Sequence, residues 1–221
     1  MPRTWLLLLV AVSLQGAGWR DLFNGRDLTG WESRGSGIWN VIDGGILIGQ
    51  RDPRNDGPPA FPLEKRQYER WLNKQAWLYS TEEFREYDLS LEYWLRAGGN
   101  SGISLHDPGR AEHAISSPPD YTKTPARIAY EIQLSNGYPD HNPTGSIYNL
   151  GQAKIGPQKD NQWNRLDIEV RAGLIRVKLN GVQVAEAPPD PKRASRGPIG
   201  LQLHDMFTVV QFRNIRIRPL P

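Results

Sequence analysis

The chain has 221 residues, no cysteine, and 27 basic against 24 acidic side chains, a formal charge of +3. Those numbers exclude disulfides, thiolate metal sites, iron–sulfur clusters, a cysteine nucleophile and a cysteine-anchored lipoprotein. With 8 Trp, 8 Tyr, 5 Phe and 38% apolar residues there is enough mass for a buried core, and 22 Gly with 18 Pro mark a turn-rich chain.

Residues 1–18 read as an export signal. Arg3 supplies the positive start, Trp5 to Val12 is an unbroken apolar run, and Gly16-Ala17-Gly18 offers small residues for cleavage after Gly18. The run is too short for a stable membrane anchor, which needs about 20 residues. The expected product is residues 19–221, one domain, periplasmic or extracellular.

Short strands dominate the remainder of the chain. Trp39 to Ile48 is two apolar runs around an Asp43-Gly44 turn, the pattern of a hairpin. Residues 51–76 interrupt the strand pattern: a Pro/Gly loop leads into LEKRQYERWLNK, which is rich in helix formers. From Tyr87 to Arg96, Leu89, Leu91, Tyr93 and Leu95 share one face, and Trp94 and Arg96 share the other. Residues 107–125 hold four prolines and form a second long irregular stretch. Leu166, Ile168 and Val170, then Ile175, Val177 and Leu179, alternate with polar residues up to an Asn180-Gly181 turn. The tail, Thr208 to Arg218, is another strand. Its Arg213, Arg216 and Arg218 alternate with apolar residues as a solvated strand face does, so no nucleic-acid partner is expected. This recurrent period of two predicts an all-β sandwich or barrel.

Three strands carry an unusual polar face. Glu131 and Gln133 oppose Tyr130, Ile132 and Leu134. Ser104 and His106 oppose Ile103 and Leu105. Gly200, Gln202 and His204 oppose Ile199, Leu201 and Leu203. A merely solvated face carries Lys, Glu, Arg and Thr; these carry amides, imidazoles, one carboxylate, serine and glycine. Fixed-geometry donors and acceptors suit a hydroxyl-rich ligand, and Gly200 would let a ring approach the backbone. If the three faces share one sheet they form a groove for sugar, with Trp94 and Arg96 as an added stacking surface. His113 and His141 lie in Pro-rich loops and read as surface residues.

Several motifs, in order, resemble the 3-keto-disaccharide hydrolase family. They are Leu22-Phe23-Asn24-Gly25-Arg26-Asp27-Leu28-Thr29-Gly30-Trp31, Trp77-Leu78-Tyr79-Ser80, Gly98-Gly99-Asn100-Ser101-Gly102-Ile103, Tyr130-Glu131-Ile132-Gln133, Thr144-Gly145-Ser146-Ile147-Tyr148, Gln162-Trp163-Asn164 and Gly197-Pro198-Ile199-Gly200-Leu201-Gln202-Leu203-His204. The resemblance implies a concanavalin A-like jelly roll of two antiparallel sheets. It also implies cleavage of glycosides already oxidised to a ketone at sugar C3. His106 stands where the family usually has arginine, and the insertion at 51–76 is not typical of it.

A C3 ketone acidifies the C2 proton. Its removal gives an enolate, the C1 substituent leaves, and water adds to the enone. That route needs a base, an oxyanion stabiliser and an acid, not the paired carboxylates of ordinary glycosidases. Glu131 or His204 is the candidate base, with His106, Gln133, Gln202 and Ser104 as substrate contacts. Glu131, His204 and His106 could instead hold a divalent metal. The alternative function is a non-catalytic carbohydrate-binding module using the same groove. The E-x-D-x-x-E strand pattern of jelly-roll endoglucanases is absent.

Overall fold

A computed structural model describes residues 18–221 except 53, 55, 56, 61, 63 and 136–141. The expected export signal, Gly18 apart, and His141 therefore lie outside the described residues. The elements in chain order are β1 (Arg20–Asp21), β2 (Trp31–Arg34), β3 (Gly37–Ile42), β4 (Ile46–Arg51), α1 (Lys65–Leu72), β5 (Ala76–Phe84), β6 (Tyr87–Leu95), β7 (Asn100–Leu105), α2 (Glu112–Ile115), α3 (Pro125–Ile128), β8 (Tyr130–Ser135), β9 (Trp163–Arg171), β10 (Leu174–Leu179), β11 (Val182–Ala187), β12 (Gly197–Leu203) and β13 (Val209–Pro219). No helix among the described residues is long and apolar enough to cross a membrane.

The strands form two antiparallel sheets. One runs β11-β10-β9-β6-β13-β4-β3, with β1 added along β13; the other runs β2-β5-β12-β7-β8. The period-two pattern explains why they pack face to face. Leu89, Leu91, Ile168, Val177 and Phe212 from the larger sheet meet Leu78, Ile103, Ile132 and Leu201 from the smaller one, all essentially inaccessible to solvent. Each such side chain stabilises the fold by about 1.5–3 kcal/mol relative to exposure. The fold is the expected jelly-roll sandwich.

Described residues of both irregular stretches make specific contacts. In the 51–76 insertion, α1 forms where helix formers cluster, and its Leu72 carbonyl accepts from Met206 N–H at 2.9 Å. Residues 107–125 fold onto the outer face of the five-stranded sheet. Ala111 and Ala114 pack against Trp77 and Tyr79, whose rings stack with centroids 5.6 Å apart. The pivot is Asp107, whose carboxylate accepts from Tyr79 Oη at 2.6 Å and from Ala111 N–H at 2.7 Å.

Candidate active site

The outer face of the five-stranded sheet is half covered and half open. Register sets its contents. Tyr79 pairs with Gly200, Gly200 with Ser104, and Ser104 with Glu131, so these four form one row across β5, β12, β7 and β8. Trp77 pairs with Gln202, and Gly102 with Gln133. Continuing the β12–β7 register by one pair sets Gln202 level with Gly102. The 107–125 segment seals the Tyr79 end. The Glu131 end opens into a hollow of about 390 Å³, within the size range of ligand pockets.

Glu131, Gln133, Gln202 and His204 line this hollow together. Glu131, Gln133 and Gln202 are buried at its floor, and His204 stands at the end of β12. Two glycines shape the floor. A Cβ at Gly102 would lie 2.6 Å from Glu131 Oε1, so the missing side chain is the cradle into which the carboxylate leans. A Cβ at Gly200 would lie 2.4 Å from the Tyr79 ring. The ring that Gly200 admits to the backbone is thus the protein's own, not a sugar's, which corrects the expectation.

Hydrogen bonds order the floor. Gln133 Nε2 donates to Asn100 Oδ1 at 3.2 Å. Gln202 Oε1 is buried with no hydrogen-bond partner among the described residues, and an acceptor left so costs free energy unless a donor meets it. His204 Nδ1 lies 3.4 Å from Asp205 Oδ2. Burial alone would raise the Asp205 pKa. The His204 ring together with Phe207 N–H and the Thr208 hydroxyl outweighs it and holds the carboxyl below the usual range. A carboxylate of this kind fixes the orientation of a neighbouring imidazole. Burial, followed by the adjacent Asp107 charge, pushes the Tyr79 hydroxyl well above the usual tyrosine pKa. Tyr79 therefore remains a neutral donor to Asp107.

The structure adds residues that strand alternation missed. Asn73, Gln75, Tyr121, Thr124, Arg127 and Tyr148 complete the walls. They come from the end of α1, the start of β5, the 107–125 segment, α3 and the turn after residue 142, where no periodic pattern pointed. Arg127 is the one permanent cation among the described lining residues. Asp205 was also missed; its signal was its place next to His204 at the head of a turn.

Four expected contacts lie elsewhere. Ser104 shares the face but is fully buried in the sealed row between Gly200 and Glu131. Trp94 belongs to β6 in the eight-stranded sheet, opposite Trp163 and Gln211, and Arg96 is exposed just beyond that strand. Both are on the wrong sheet for the groove, because alternation assigns a face of a strand but not the sheet it joins. His106 has φ +57°, which breaks the strand alternation and turns its ring between Tyr87 and Tyr130, with centroids 5.6 and 6.1 Å away. It lines a separate cleft of about 270 Å³ with Arg193, Val170 and Ile175. Burial depresses its pKa to about 4. The Glu131, His204 and His106 metal set is therefore not assembled, and among the described residues no three His, Asp or Glu side chains cluster to hold a metal ion.

The sequence profile of the 3-keto-alpha-glucoside-1,2-lyase-like domain matches residues 18–218. A candidate glycosyl hydrolase from Parabacteroides distasonis ATCC 8503 superposes with a TM-score of 0.67 at 18% identity, covering 93% of this chain and 95% of that one. A Bacillus subtilis protein with a galectin-like fold gives 0.56 at 12% identity, covering 91% and 94%. The carbohydrate-binding module CBM66 from Bacillus subtilis gives 0.52 at 14%, covering 86% and 96%. At these identities the likeness is one of fold. No curated protein matches the chain in sequence.

Proposed function

Because the chain belongs to the 3-keto-alpha-glucoside-1,2-lyase-like family, whose membership implies a carbohydrate-active, glycosidase-like role, we propose that it is an exported enzyme that cleaves 3-keto-glycosides in the hollow around Glu131. The observation that carries this reading is the convergence of Glu131, Gln133, Gln202 and His204, drawn from two strands and a strand end, on one pocket. In this reading His204, oriented by Asp205, removes the C2 proton. The electron pair moves to the C3 oxygen as an enolate. Arg127 and the amides of Gln133 and Gln202 meet that oxygen and its neighbouring hydroxyls. The enolate then collapses, the C1–O bond breaks, and Glu131 in its acid form gives the leaving oxygen a proton. Water adds across the C1–C2 double bond, its hydroxyl to C1 and its proton to C2, completing hydrolysis.

Several features support catalysis over binding alone. The pocket holds a carboxyl, an oriented imidazole and a cation, which is more titratable machinery than recognition of hydroxyls requires. The Asp205 carboxylate beside His204 Nδ1 also gives the imidazole the fixed partner that a positioned base needs. The test is to incubate the purified protein with an aryl 3-keto-glucoside and follow release of the phenol. Release by the wild type and its loss in Glu131→Gln and His204→Ala at unchanged melting temperature are expected. Sugar binding without release would leave the chain a binding module.

A further inference from the structure

The cleft of about 270 Å³ that holds His106 takes no part in the proposed reaction. Among the described residues it shares no lining residue with the hollow, although β8 serves both: Tyr130 lines this cleft and Glu131 the hollow. Tyr130, Val170 and Ile175 are buried at its floor, and Arg85, Ala172, Pro191 and Ser195 are exposed at its mouth. His106 is only 4% exposed, and its Nε2 is buried with no hydrogen-bond partner among the described residues. The surroundings enforce this placement. His106 has φ +57°, and a Cβ at Gly197 would lie 2.7 Å from the His106 carbonyl carbon, so glycine there makes room for the turn. A non-glycine residue held in such backbone by its neighbours points towards function.

The groups around the ring define what Nε2 lacks. Burial keeps the imidazole neutral, and a neutral imidazole has one N–H and one lone pair. The backbones of Arg85 and Ala194 supply acceptors to the ring, so the hydrogen is assigned to Nδ1 and the lone pair to Nε2. An acceptor buried in this way calls for a donor. An anion has none to give, and the cations nearby are engaged. The Arg171 guanidinium donates to Asp88 and to the carbonyls of Tyr87 and Val170. That of Arg193 lies over the Tyr130 ring, donates to the Ala129 carbonyl and flanks Asp190. Arg85 shares the mouth with Glu86.

We propose that this cleft is a second binding site, for a small phenol whose ring lies against Val170, Ile175 and Tyr130 and whose hydroxyl donates to His106 Nε2. The site is independent of the catalytic reading. A phenol combines the two things the cleft asks for: a flat apolar body for buried walls, and one uncharged O–H donor for a buried acceptor. The Tyr130 ring gives an aromatic body an edge or face to pack on, which a saturated alcohol of the same size uses less well.

Calorimetric titration of the purified protein near neutral pH tests it, and reads binding whether or not turnover occurs. The ligands are p-cresol, 4-methylanisole (the same ring without the donor), 4-methylcyclohexanol (the donor without the aromatic ring) and p-toluate (an anion of similar shape). The wild type is expected to bind p-cresol at least about tenfold more tightly than 4-methylanisole, the scale of one buried hydrogen bond, and more tightly than the other two. His106→Asn removes Nε2 and is expected to erase the preference for p-cresol over 4-methylanisole. Ala172→Trp fills the mouth from an exposed position, so the fold survives it, as a melting curve will show, and p-cresol binding is lost. No binding of p-cresol by the wild type overturns the proposal. So does equal binding of p-cresol and any of the other three ligands. Cresol binding unchanged in folded Ala172→Trp places the ligand elsewhere and overturns it as well.

Discussion

Gly102 shows how a single residue sets the chemistry of the floor. The Glu131 carboxyl occupies the volume that any Cβ at 102 would need. Gly102→Ala is therefore expected to tilt Glu131 out of place. Turnover falls by more than tenfold, as misplacement of a reacting group by about 1 Å can cost that much, while unfolding measured in parallel changes far less. At the pocket wall, Arg127→Ala is expected to lower kcat by about 10²-fold, the scale of losing one oxyanion donor, with Arg127→Lys recovering part of it in the same steady-state assay. His106 predicts a stability effect and no catalytic one. Its folded pKa of about 4 lies below the ordinary 6.5, so the fold favours the neutral ring. The stability this gives is full above pH 6.5 and is lost as the pH falls towards 4, because the unfolded chain takes up the proton first. The gap corresponds to about 3 kcal/mol. His106→Asn, which tolerates the positive φ, is expected to flatten that pH dependence of the melting temperature over the same interval.

At the scale of elements, the 107–125 segment decides how much of the polar face is available. It lies over the Trp77 and Tyr79 rings through Ala111 and Ala114, and is pinned by the Tyr79–Asp107 bond. Tyr79→Phe leaves Asp107 with its backbone donors but removes the buried pin. The expected cost is about 1–2 kcal/mol, a fall of about 2–8 °C in melting temperature for a chain of this size. The strands themselves were largely readable. Alternation placed Leu89, Leu91 and Leu95 inward on β6, and Glu131 with Gln133 on the opposite side of β8 from Ile132. Asn180-Gly181 turned out as a tight connection with both residues at positive φ. The insertion's helix was visible in its composition. What alternation could not carry was any feature set by long-range pairing. The sheet that Trp94 joins depends on β6 lying between β9 and β13, and no local pattern encodes that.

At the scale of the molecule, two sheets bury an apolar interior; the eight-stranded one turns charged pairs outward, and the five-stranded one turns out the amides, carboxyl and imidazole of the site. The site exists because β12 and β8 flank β7, which brings Gln202 and Glu131, 71 residues apart in sequence, over the same glycine. Those residues were identifiable because their types were wrong for a solvated face. The walls contributed by α3, the α1 cap and the turn after residue 142 were not, since loops reach a site by tertiary folding alone. The most direct test of the chemistry removes the leaving group and watches only the first step. A 3-keto-glucose in D₂O is followed by proton NMR for loss of the C2 hydrogen signal. The wild type is expected to wash out that signal well above the buffer rate, Asp205→Asn more slowly, and His204→Ala at the buffer rate. Exchange no faster with the wild type than in buffer, or undiminished in His204→Ala, would contradict proton abstraction by this pocket.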